Sequence, residues 1–245
     1  MKRNLLFALS VVLVVLGLSG CVIVNFSGSN RVTGRGEPEG FEFRVGQYSR
    51  VNASGYFEIH YYAAASDIVK LEVQPNLQQY YIVEVRDDEL LVRTRRGVNV
   101  NTRSRPVLTI STPILEQLTI SGSNTFLTHD TISGDSFALT SSGLGNGTAE
   151  LDVESFNVNL SGSGSFSFSG LADRANLSIS GSGNLDALDL QLREASVRLS
   201  GSGRLGVNSS ESLSISASGS GRVSYRGSPR ISLNNTGSVR VITVD

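Results

Sequence analysis

The tetrapeptide Ser-Gly-Ser-Gly begins at Ser161, Ser180, Ser200 and Ser218, with looser forms at Ser121, Ser142 and Thr236, so that successive copies lie 18 to 21 residues apart. Each copy sits between two alternating apolar stretches, as in Leu177-Ser-Ile179-Ser-Gly-Ser-Gly-Asn-Leu185. Alternation of period two marks strands with one buried face. A fixed period of this length marks repeated supersecondary units. A unit of ~19 residues holds two or three strands of about 5 residues plus the bends between them, the size of one rung of a β-solenoid. An antiparallel sandwich would also alternate, but it gives no reason for one motif to recur at nearly fixed phase.

Parity assigns the corner. Ile179, Gly181, Gly183 and Leu185 are all odd-numbered, so the glycines are expected to point inward and Ser180 and Ser182 outward. An inward position at a sharp bend has no room for a side chain, and glycine adopts backbone angles that other residues avoid. The expected fold is all-β, a β-solenoid whose rungs pair in parallel at ~4.8 Å, with about eleven rungs over residues 41–245. Ser161, Ser180, Ser200 and Ser218 would then form one outward hydroxyl row, and Ser163, Ser182, Ser202 and Ser220 another. Both rows are read as polar corner filler.

The N-terminus sets the address. Lys2 and Arg3 precede a mainly apolar stretch from Leu5 to Leu18, too short for a spanning helix and suited to a signal peptide. It ends in Leu18-Ser19-Gly20-Cys21, which resembles a bacterial lipobox, with cleavage between Gly20 and Cys21 and acylation of Cys21. Cys21 is the only cysteine in the chain, so no intramolecular disulfide can form. Acyl chains there would anchor the protein to a membrane without spanning it. Val22 follows where an aspartate favours inner-membrane retention, so the expected location is the cell envelope, at the outer membrane if the host has one. Residues 1–20 are read as the signal peptide, 21–40 as a lipidated flexible tether rich in Gly, Ser and Asn, and 41–245 as one repeat domain. The formal charge of −1 gives no general attraction to nucleic acid, which is not expected as a partner.

The SGSG units resemble the DUF2807 family, whose domain is called an auto-transporter adhesin "head GIN" domain. The likeness also rests on Val107-Leu-Thr-Ile-Ser-Thr-Pro113-Ile-Leu115, on Gly55-Tyr-Phe57-Glu-Ile59, on Val73-Gln-Pro75-Asn76-Leu77 followed by Leu90-Leu91-Val92, and on the closing Ser218 to Pro229. It runs from about Phe41 to Val244. Ser142-Gly143-Leu144-Gly145 and Ser121-Gly122-Ser123-Asn124 depart from the motif. The resemblance implies a secreted or lipid-anchored right-handed parallel β-helix with an adhesion-like role, and it supplies no catalytic residues.

Candidate chemistry is sparse. A phosphate-cradling glycine loop needs a strand-to-helix junction and usually a lysine, and no lysine occurs after Ser121. Calcium-binding β-rolls repeat an aspartate at an offset that Gly181-Ser-Gly183-Asn-Leu-Asp186 does not keep. His60 and His129 are far apart in sequence without an acidic or cysteine cluster at ligand spacing, and read as ordinary strand or surface histidines. No metal or cofactor is expected. Because parallel β-helices also host polysaccharide lyases and hydrolases, Asp152 with Glu154 and Asp186 with Asp189 are weighed as acid/base pairs for a carbohydrate-active enzyme. Units of such even length leave no loop insertions to build a cleft, and the carboxylates read as solvated loop residues. Arg93, Arg95 and Arg96, with Arg103 and Arg105 nearby, are candidates to contact anionic lipid headgroups or glycan, against the plainer reading of a charged loop guarding a sheet edge. The expected function is a lipid-anchored binding or adhesion-like module for a glycan or protein ligand, with self-association through the β-helix ends as a further route.

Overall fold

The computed structural model describes residues 30–244, so the leader, the Gly20–Cys21 cleavage site and residues 21–29 of the expected tether lie outside the described residues. From Asn146 each turn is one long bent strand: Asn146–Gly162, Ser165–Gly181, Asn184–Gly201 and Arg204–Gly219. Consecutive strands pair in parallel with corner on corner, Gly143 beside Gly162, then Gly181, Gly201 and Gly219. Stacked parallel coils of about 7 turns result, a β-solenoid.

The alternating residues become ladders. Leu90, Val51, Leu118, Leu139, Val158, Leu177, Val197 and Ile215 follow one another through eight paired strands, and all eight are buried. The next member, Leu233 of Arg230–Asn235, is 51% exposed, and its neighbour Ile231 is 43% exposed. This end of the ladder therefore lies open to solvent.

The two glycines of each corner have different tasks. The first of each pair takes a positive φ, +133° at Gly162, +127° at Gly181 and +120° at Gly201, where side chains are strained. The second, Gly164, Gly183, Gly203 or Gly221, is buried, and a Cβ on Gly164 would lie 1.9 Å from the Gly145 carbonyl oxygen. The intervening serines are exposed. The departure at Ser121-Gly122-Ser123-Asn124 also has a physical reason. Buried Asn124 accepts from the Phe57 backbone N–H at 3.0 Å and donates to the Ser121 carbonyl at 2.8 Å, bridging the turn to a neighbour that lacks the tetrapeptide.

The stack falls short of the expected eleven rungs because residues 63–116 do not keep the repeat. Ile68–Val73 runs antiparallel to both Glu39–Arg44 and Val107–Ser111, and Tyr81–Arg86 runs antiparallel to Glu89–Thr94. Pro75 opens a short 3-10 helix, Pro75–Tyr80, where it removes a backbone donor. Asp87 and Asp88 make the hairpin turn with φ of 48° and 63°, angles that aspartate tolerates better than most residues. This segment returns only one pair of strands to the stack. The turn made by Arg50–Gly55 and Glu58–Tyr62 consequently lies between two others, one from Glu89–Thr94 with Val107–Ser111, the other from Gln117–Gly122 with Thr125–Thr128. A small separate sheet pairs Asn30–Thr33 with Val98–Asn101. Tyr48 and Tyr61 donate to the carbonyls of Ser111 and Thr112 at 3.2 and 3.1 Å. Burial pushes both hydroxyls up to about 12, so each remains a protonated donor through ordinary alkaline pH.

Candidate functional site

Because successive turns stack in register, outward residues of equivalent position form columns, and shallow grooves run between the columns. One groove, about 620 Å³, is lined by Asp152, Glu154, Asp173 and Arg193 among others. A second, about 540 Å³, includes His129, Asp130, Glu150, Asp186 and Asp189. The two carboxylate pairs weighed for acid/base chemistry thus belong to different grooves. All four residues are exposed. Asp186 accepts from the Leu188 backbone N–H at 3.1 Å, and Asp189 lies 3.6 Å from an Arg226 nitrogen.

The register also joins the two histidines. Glu58–Tyr62 pairs with Thr125–Thr128 so that Leu127 stands beside His60 and Thr128 beside Tyr61. His60 Nδ1 is 2.7 Å from His129 Nε2, and His60 Nε2 is 2.9 Å from Glu58 Oε1. The two imidazoles stack with centroids 4.9 Å apart, and Tyr62 stacks on His129 at 4.5 Å. With Glu58 ionised and His60 neutral, the His60 Nε2–H must donate to the carboxylate, so Nδ1 accepts from the Nε2–H of His129. His129 itself lines the second groove. Sequence spacing concealed this cluster because its members are 69 residues apart and meet only through the non-sequential order of turns. Among the described residues, no group of three or more His, Cys, Asp or Glu converges as a metal site.

The family model described as "Putative auto-transporter adhesin, head GIN domain", DUF2807, matches residues 47–229. The chain belongs to this family. Solved structures show the same fold at low identity. A "putative adhesin" from Bacteroides fragilis is 23% identical, with a TM-score of 0.82 over 87% of this chain and 100% of its own. A "putative lipid binding protein" from Parabacteroides distasonis is 23% identical, with a TM-score of 0.74 over 88% of this chain and 100% of its own. A "putative adhesin" from Parabacteroides merdae is 19% identical, with a TM-score of 0.65 over 88% and 100%. No curated protein matches the sequence. The family is described as an adhesin domain, and the solved neighbours share the fold of this DUF2807 chain.

In the DUF2807 domain the arginine-rich segment has divided roles. Arg93 is half-buried in Glu89–Thr94, opposite Ile82, and donates to the Thr94 carbonyl at 3.3 Å. Arg95 is exposed, and its Nε donates to the Gln79 carbonyl at 2.8 Å, tying the strand's end to the 3-10 helix. Arg96 is exposed beside Gly97, whose φ is +78°. Arg105 bonds the Thr125 hydroxyl and lies 4.3 Å over the Tyr56 ring. Two of the five arginines, Arg95 and Arg105, therefore fasten the fold.

Proposed function

We propose that this chain is an exported, lipid-anchored envelope protein whose solenoid binds a glycan or protein ligand without converting it. Cleavage after Gly20 and acylation of Cys21 would supply the membrane contact and residues 21–29 the tether, shorter than the expected 21–40 because Asn30–Thr33 and Glu39–Arg44 are paired strands of the binding domain; in a host with two membranes the anchor would be the outer one. The observation that carries the reading is the in-register stack. It aligns outward side chains in columns along open grooves and leaves the candidate carboxylates exposed in separate grooves. Arg93, Arg95 and Arg96 would add contact with an anionic surface at the other end of the stack. End-to-end association of two copies is supported by the exposed Ile231 and Leu233 at the last turn, and concentration-dependent sedimentation reads it.

A second reading, a carbohydrate-active enzyme, draws on the Glu58–His60–His129 chain beside Asp186 and Asp189. One experiment separates the two. The mature chain is screened on a glycan array, and every bound glycan is incubated with it and assayed for new reducing ends. The binding reading expects intact ligand, together with palmitate labelling in cells that disappears in Cys21→Ser. New reducing ends that vanish in His129→Ala would establish the enzyme, and retained labelling in Cys21→Ser would remove the anchor.

A further inference from the structure

Three arginines stand in one column on the last turns of the solenoid. Arg204 pairs in register with Arg222, and Arg222 with Arg240. The same column holds Asn146, Ser165 and Asn184 in the preceding turns. Strand spacing therefore sets three like charges ~4.8 Å apart at the backbone, an arrangement that destabilises paired strands. All three arginines are exposed, and none has a side-chain hydrogen bond or ion pair among the described residues. Edge protection accounts for a charge on the outermost strand, Arg240–Thr243, but not for Arg204, two turns inward.

The column does not stand on a flat face. It lines a groove of about 370 Å³ together with Ser202, Ser220 and Ser238, and no carboxylate lines that groove. Each serine follows a corner glycine, and its backbone N–H is already bonded to the preceding turn, Ser220 to Gly201 and Ser238 to Gly219. The hydroxyls have no partner among the described residues and remain available.

We infer that Arg204, Arg222 and Arg240, with the neighbouring serine row, form a binding site for a linear acidic polysaccharide. Guanidinium groups recognise carboxylate or sulfate through paired, charge-assisted hydrogen bonds. The hydroxyl row beside them matches a polymer that carries both hydroxyls and anions on successive units. A narrow concave track that repeats along the stacking direction suits a single chain better than a bilayer, which presents a plane. The overall charge of −1 makes this attraction local to the column. The inference rests on the binding-module reading and names its ligand class.

The test measures binding of the mature chain to polygalacturonate, heparin, neutral dextran and phosphatidylglycerol vesicles, at low and physiological salt. The triple variant Arg204→Gln/Arg222→Gln/Arg240→Gln is compared with Arg93→Gln/Arg95→Gln/Arg96→Gln. Polygalacturonate or heparin should bind in preference to dextran and vesicles, and more weakly as salt rises. The column variant should lose about tenfold or more of that affinity, the other triple much less. The column variant should also melt no lower than the parent, because it relieves like-charge crowding, so that loss of binding is not loss of fold. Unchanged polyanion affinity in the column variant, preference for vesicles, or no polyanion binding would overturn the inference. Binding of a neutral glycan or a protein would then leave the module reading standing, whereas no ligand in any class would remove both.

Discussion

Gly201→Ala should destabilise the solenoid by roughly 3 kcal/mol or more, the combined cost of a forbidden backbone angle and a steric overlap. Gly201 has φ of +120°, and a Cβ there would lie 2.3 Å from the carbonyl oxygen of Gly181 in the preceding turn. The obstruction is backbone and cannot swing aside. Relief would require the two turns to separate at the corner, which breaks the bond that the Ser202 N–H donates to the Gly181 carbonyl at 2.9 Å. In a domain of this size the loss corresponds to a fall in melting temperature of roughly 6–12 °C. Ser200→Ala, one residue away and exposed, should change stability by less than about 0.5 kcal/mol. Thermal melts of the two variants read the contrast directly. Similar melting temperatures would mean that the corners are not packed against each other.

Leu177→Ala comes next in size, with an expected loss of about 2–5 kcal/mol. Leu177 is 1% exposed and lies in the inward ladder between Val158 and Val197. Neighbouring turns are tied by backbone ladders on either side, so they cannot close around the deleted side chain, which places the expected value in the upper part of the range. Leu171 supplies the internal comparison. It lies in the same strand, Ser165–Gly181, but is 50% exposed, and Leu171→Ala should cost little. Denaturant unfolding of both variants measures the difference, and equal losses would contradict the assignment of faces.

Leu177 and Leu171 have the same parity and opposite exposure, which marks where the sequence stops being readable. Alternation carries correctly through 174–181, and the glycine spacing locates each corner beside it. The strand bends at Gly170, φ +103°, yet the even parity of Phe166 and Phe168 carries on to buried Ala172; the face reverses at Asp173-Arg174, two consecutive exposed residues, after which Ala175, Leu177 and Ile179 point inward. No tetrapeptide announces that second corner. The corner serines and glycines were legible because one steric problem recurs at every turn with one solution.

The N-terminal third was harder to read for a different reason. Pairing between Asn52 and Thr119, or between His60 and Leu127, depends on which turns become neighbours, and chain order places other residues between them. The antiparallel strands of that region are joined by Asp87-Asp88, a weaker turn signal than Asn-Gly. The histidine contact was invisible for the same reason. The arginine column, by contrast, was present in the repeat itself: Arg204, Arg222 and Arg240 each follow the corner by one residue, at a spacing of 18. Charge counted along the chain directs attention to Arg93–Arg105; charge counted by repeat position directs it to the column.

Every outward column described above depends on the order and register of stacking, and one measurement addresses both. In a Cys21→Ser background, cysteine pairs are placed at Asn52 with Thr119, at Thr119 with Thr140, and at Asn52 with Thr140, and disulfide formation is followed under mild oxidation. Asn52 pairs with Thr119, and Thr119 pairs with Thr140. Adjacent strands bring Cα atoms to ~4.8 Å, within the range a disulfide spans, while two strand spacings exceed it. The first two pairs should cross-link readily and the third should not. Cross-linking of Asn52→Cys with Thr140→Cys, without cross-linking of Asn52→Cys with Thr119→Cys, would contradict the stacking order and the columns built on it.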